Sequence, residues 1–102
     1  MLKLPGLTDV HTHLRVPGGE HKETIATGAL AGVAGGFIAL ACMPNTDPVN
    51  DNVPVTEFIL EKAQIANLLK IYPIASITKG QKGEGLTDFS ELFKAGAIGV
   101  SD

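Results

Sequence analysis

The stretch that most constrains this chain is residues 37–42, Phe-Ile-Ala-Leu-Ala-Cys, an unbroken apolar run that begins directly after Gly35-Gly36. A strand with one wet face alternates apolar and polar residues. A run without alternation belongs to a strand covered on both faces, as in a parallel sheet. The residues before it, 21–34, carry a helical repeat, with Ile25, Ala29 and Val33 four apart and Ala26 and Leu30 beside them. Glu20 and Glu23 fall near the start of that helix, where acidic groups suit the dipole. Its small residues, Gly28, Ala29 and Gly32 among them, allow close approach to a sheet. After the run comes a loop over residues 43–48, and Pro54 opens a second helix. There Val55, Phe58, Ile59, Ala63, Ala66 and Leu69 form one stripe against Glu57, Glu61, Lys62 and Asn67.

The alternation extends in both directions. Residues 4–10 are an apolar run that supplies a first strand, and residues 71–77 a third, whose regular pairing is expected from Ile74 because Pro73 has no N–H to donate. A third helix is expected over residues 87–94, capped by Thr87 or Asp88, with Phe89, Leu92 and Phe93 as its apolar face and Gly96 as its stop. Residues 97–100 read as a fourth strand. Four strands separated by three helices form successive βαβ units, hence a mainly parallel α/β sheet with right-handed crossovers. A complete (β/α)8 TIM barrel takes roughly 250 residues, so a chain of 102 is expected to hold its first half. The alternative is a small open doubly wound sheet. No Gly-x-Gly-x-x-Gly turn follows the first strand, so nothing argues for a dinucleotide.

The chemistry gathers at Asp9-Val10-His11-Thr12-His13-Leu14-Arg15. Two histidines two residues apart on a strand project to one side, where both imidazoles can face one metal ion; zinc takes such nitrogens at about 2.0–2.1 Å. The plainer reading is a strand end with two rings in solvent. Arg15 follows the first strand, Asn45 the second and Asp102 the fourth, and parallel α/β folds place their chemistry at these carboxyl ends. The net charge of −3 and the scattered lysines give no patch for nucleic acid. The single cysteine, Cys42, has no internal partner and reads as a small buried hydrophobe, in keeping with a reducing compartment. Without a signal-peptide pattern or an apolar run near ~18 residues, a soluble cytoplasmic protein is expected. His21 reads as a solvated residue at a helix start, and Tyr72 and the phenylalanines as core or half-core.

Taken together, the residues 5–15, Pro17-Gly18-Gly19, His21-Lys22-Glu23-Thr24 and Cys42-Met43-Pro44-Asn45-Thr46 resemble dihydroorotase of the amidohydrolase superfamily. Tyr72-Pro73-Ile74, Ile77-Thr78-Lys79-Gly80, Lys82-Gly83-Glu84, Ala95-Gly96-Ala97 and Ser101-Asp102 extend the resemblance over the whole chain. The Leu-Arg after His-x-His and the Met-Pro-Asn-Thr loop point away from hydantoinases and allantoinases. The resemblance implies the N-terminal part, residues 1–102, of a metal-dependent barrel that interconverts N-carbamoyl-L-aspartate and L-dihydroorotate in pyrimidine synthesis. It implies one or two zinc ions held by His11 and His13, with Asp102 completing or bridging the site, and Arg15 and Asn45 on the substrate carboxylate. The family's later histidines and its aspartate general base would lie on strands after Asp102, so no catalytic base is expected here. Other family members imply two alternatives, a non-catalytic scaffold for aspartate carbamoyltransferase and another cyclic amidase. Homo-oligomerisation is open.

Overall fold

The structure, a computed structural model, describes residues 2–102. Strands and helices alternate: β1 (Leu7–Thr12), α1 (Ile25–Ala34), β2 (Phe37–Cys42), α2 (Val53–Ala66), β3 (Lys70–Ala75), a 3-10 turn (Lys79–Gln81), α3 (Phe89–Ala95) and β4 (Gly99–Val100). All four strands are parallel and stand in chain order, β1-β2-β3-β4. Helix α1 packs on α2 and α2 on α3, so successive helices are neighbours on one face. A doubly wound sheet would reverse its strand order and divide its helices between two faces. This sheet does neither and curls as half of a (β/α)8 barrel.

The main core lies between sheet and helices. Leu40 and Cys42 of β2 and Ile71 of β3 meet Ile25 of α1 and Val55 and Ile59 of α2, with Leu14 and Val16 reaching in from the β1–α1 loop. Burying a side chain such as Ile59 contributes about 2 kcal/mol. Gly28 lets α1 come close: a Cβ there would lie 2.4 Å from Leu14 Cδ2. A second, smaller cluster joins Ala75, Leu92 and Ala97. The alternate residues Ala41 and Met43 line the opposite face with Val10, Ile74, Ile98 and Val100, on the concave side of the sheet.

Several boundaries differ from the sequence expectation, each for a local reason. Helix α1 begins at Ile25 rather than near residue 21, because Thr24 caps it. The Thr24 hydroxyl accepts the Thr27 N–H at 3.1 Å, and the Thr27 hydroxyl accepts the Thr24 N–H at 2.9 Å. Ahead of the cap, the N–H groups of Lys22 and Glu23 turn back onto the Gly19 carbonyl at 2.8 and 3.2 Å. Pro73 sits inside the ladder, opposite Cys42, rather than before it. Its carbonyl accepts the Ile98 N–H at 3.0 Å, so its polar groups face β4. The missing donor therefore costs β2 nothing. Leu69 falls outside α2, which stops at Ala66 with Asn67 left-handed (φ 47°).

In α3, Asp88 is the cap, accepting the Glu91 N–H at 3.0 Å, while the buried Thr87 hydroxyl donates to the Ser76 carbonyl at 2.8 Å. Phe93 was expected on the apolar face but is 74% exposed, whereas Leu92 is buried. In a short helix the two point about 100° apart, and only one reaches Ala75 and Ala97. Strand β4 is limited to Gly99–Val100, since the Ala97 N–H is spent on the Leu92 carbonyl at the helix end. Among the described residues, no helix is long and apolar enough to cross a membrane.

Candidate functional site

Strand β1 does not end as a regular strand. Asp9 stands opposite Leu40 and Thr12 opposite Cys42, so three steps of β1 match two of β2, a bulge of the kind that re-aims side chains. His11 lies within the bulge and His13 one residue past the strand. Their rings meet, centroids 5.2 Å apart with planes at 62°. The His11 backbone N–H is tied to Asp9 Oδ1 at 3.0 Å, and His13 Nδ1 lies 2.8 Å from Asn45 Oδ1.

The second contact links the β1–α1 loop to the β2–α2 loop, and further contacts fasten the two. The Asp47 N–H donates to the Pro17 carbonyl at 2.9 Å. At Gly18, whose φ is +98°, a Cβ would stand 2.2 Å from the Asp47 carbonyl oxygen. Only glycine fits there. Arg15 also adopts a left-handed conformation, φ 64°, with its carbonyl accepting the Gly19 N–H at 2.6 Å. The resulting cleft is lined by Arg15, Asn45 and Thr46 together with His21 and Lys22. Arg15 and Asn45 thus line one cleft. His21 is exposed, as expected, but it lines that same cleft, and Lys22 is an addition that sequence reasoning missed.

Beneath the second loop lies Asn50, wholly buried. Its Nδ2 donates to the Ile74 carbonyl at 3.1 Å and its Oδ1 accepts the Thr56 hydroxyl at 2.7 Å. Its backbone N–H donates to the Pro44 carbonyl at 3.1 Å, and its carbonyl accepts the Ser76 N–H at 2.8 Å. One side chain and its own peptide groups therefore join the loop to β3 and α2. Sequence reasoning passed over Asn50, because an asparagine between Val49 and Asp51 looks like any turn residue.

Asp102 is placed differently from the histidines. Its Oδ1 accepts the N–H groups of Ile77 and Thr78, both at 3.0 Å, and its Oδ2 accepts the Thr78 hydroxyl at 2.5 Å. The Thr78 hydroxyl first, then the backbone N–H groups, hold its carboxyl below the usual carboxylate range. It fastens the start of the β3–α3 loop. Of the three residues expected as metal ligands, the structure brings His11 and His13 together and leaves Asp102 apart. Among the described residues no group of three or more His, Cys, Asp or Glu is arranged to hold an ion. The imidazole pair suits part of a zinc donor set. Cys42 is buried, and burial pushes its thiol up to about 12, so it is a packing residue.

The dihydro-orotase-like family model matches residues 1–102. The chain belongs to the dihydroorotase-like family. The dihydroorotase of Desulforapulum autotrophicum is 53% identical over 102 residues, all of this chain and 24% of the relative. Those of Syntrophotalea carbinolica and Acetivibrio thermocellus are each 54% identical over 101 residues, 99% of this chain and 24% of each relative. The chain thus spans about a quarter of the length of the curated relatives it matches. Within the family-matched region lie the bulged histidine strand, the zipped loops and the Arg15–Asn45 cleft.

Proposed function

We propose that this chain forms part of a zinc-dependent dihydroorotase, a cyclic amide hydrolase interconverting N-carbamoyl-L-aspartate and L-dihydroorotate. The observation that carries the reading is the juxtaposition, in a chain of this family, of a histidine pair with a cleft that holds Arg15 and Asn45. Both ligands of the reaction bear carboxylates. The planar guanidinium of Arg15 offers paired donors to such a group, and Lys22 adds positive charge to the same cleft. His11 and His13 lie with their rings 5.2 Å apart at the strand's carboxyl end, where they would hold zinc. When bound, zinc supplies Lewis acidity that polarises a carbonyl and eases the ionisation of water. These residues bind and orient; the acid–base steps fall to groups other than these.

The test is the opening of dihydroorotate by the full-length natural protein that contains this chain, followed by absorbance, with Arg15→Ala and His11→Ala variants. Arg15→Ala should raise KM for both carboxylated ligands, and His11→Ala should abolish turnover together with stoichiometric zinc. Wild-type protein that binds aspartate carbamoyltransferase and opens no dihydroorotate would place the chain with the scaffolding relatives instead.

A further inference from the structure

We infer that Asn45 is a positioning residue for His13, fixing which ring nitrogen is presented to a metal, in addition to any contact with substrate. The inference rests on the reading of His11 and His13 as zinc ligands and deepens it. Asn45 Oδ1 lies 2.8 Å from His13 Nδ1. A carbonyl oxygen only accepts, so His13 Nδ1 must carry the hydrogen and donate it. In a neutral imidazole that leaves the lone pair on Nε2. The contact therefore selects the tautomer whose free nitrogen lies on the ring edge remote from Asn45, and it fixes the ring's rotation as well.

Asn45 is held firmly enough to act in this way. Its loop is pinned by Asp47 N–H on the Pro17 carbonyl and by the buried Asn50, whose amide bridges Ile74 and Thr56. No described residue accepts a hydrogen bond from the Asn45 amide nitrogen, so its two N–H groups are left for the cleft it shares with Arg15. One side chain thereby faces two tasks with two different atoms: the oxygen orients His13, and the nitrogen is available to an anion. His11 has no comparable side-chain partner among the described residues; its main chain is held instead, by Asp9.

The two tasks separate by substitution in the full-length protein. Asn45→Ala removes both atoms, whereas Asn45→Asp keeps an acceptor for His13 and replaces the donor with a negative oxygen. Zinc affinity, measured by chelator competition, should fall about ten- to hundredfold in Asn45→Ala, the usual effect of losing a ligand's orienting partner. Asn45→Asp should bind zinc as wild type does while its KM for dihydroorotate rises sharply. Undiminished zinc affinity in Asn45→Ala, with affinity lost in His13→Ala, overturns the positioning role and leaves the zinc reading standing. Unchanged zinc binding in His13→Ala overturns the zinc reading and the inference with it. A measurement that needs no variant is the long-range 1H–15N spectrum of metal-free wild-type protein at about pH 8.5, where imidazoles are neutral. His13 should appear as the Nδ1–H tautomer, and an Nε2–H tautomer would overturn the proposal.

Discussion

Replacing Asn50 with alanine should be among the most damaging single changes in this chain, although the residue touches no ligand. The side chain is fully buried, as is Thr56. The substitution leaves two partners without a hydrogen bond, the Thr56 hydroxyl and the Ile74 carbonyl. An unsatisfied buried group costs about 1–3 kcal/mol and the part-buried Ile74 carbonyl less, so the loss comes to about 2–4 kcal/mol before the small cavity is counted. That is a large part of the roughly 5–15 kcal/mol by which native domains are stable. Equilibrium urea unfolding measures it directly. Thr56→Val breaks the same pair from the other side with little change of shape and should cost about 1–3 kcal/mol. In the double variant the costs should fall short of their sum, because the shared hydrogen bond is lost only once. A loss under about 1 kcal/mol for Asn50→Ala, or strict additivity with Thr56→Val, would refute the claim that the Asn50 amide braces the loop.

Arg15→Gly should hold or raise the melting temperature while weakening dihydroorotate binding, since a left-handed non-glycine residue (φ 64°) carries strain of about 1–2 kcal/mol that glycine does not; a drop in stability would contradict this. Asp102→Ala should speed hydrogen exchange at the Ile77 and Thr78 amides it now holds. Because the Asp102 carboxyl is lowered in the folded chain, the stabilisation it provides is present above the unfolded carboxyl pKa and lost as pH falls through the folded one. Cys42 should resist alkylation in the native protein. Its thiol is raised from 9.0 to about 12, so stability should be level below pH 9 and decline as pH rises from 9 toward 12, a decline that Cys42→Ala removes. Residues 1–102 produced alone should self-associate on size-exclusion chromatography, because β1 and β4 are sheet edges and Val10, Ile98 and Val100 are exposed on the concave face.

What was legible in the sequence was whatever depended on repeating apolar contacts. The run 37–42 is β2 to the residue, and the stripe of α2 faces the core through Val55 and Ile59. Period and burial are linked by geometry, so the elements and their parallel order followed. Boundaries were less legible because they turn on single hydrogen bonds: the acidic residues before α1 pointed to an early start, but the Thr24–Thr27 capping box outweighed them. Pro73 was misleading for a different reason. A proline's cost depends on which neighbour its missing N–H would have faced, and that is a property of the assembled sheet. The candidate ligands His11 and His13, and the Arg15–Asn45 pair, were visible because they stand at strand ends. The bulge in β1, the contribution of His21 and Lys22, and the brace at Asn50 arise from contacts distant in sequence, and no local pattern announces them.

The loops that carry the candidate site behave as one body rather than as two independent attachments. The contact of His13 with Asn45, the Asp47 N–H on the Pro17 carbonyl and the close approach at Gly18 all cross from the β1–α1 loop to the β2–α2 loop. Underneath, Leu14 and Val16 anchor the first loop in the apolar core while Asn50 anchors the second to β3 and α2. Each loop is thus fixed at its base by burial and at its tip by the other loop. A loop held at both ends loses little further freedom when a ligand arrives, which lowers the entropic cost of binding. It also explains how Arg15 can be kept in a strained backbone conformation: the left-handed turn is over-determined by the Gly19 N–H on its carbonyl and by the buried neighbours Leu14 and Val16 on either side. The strain and the polar brace belong to the same design, in which a rigid apolar floor holds exposed polar groups where an anion and a metal would meet them.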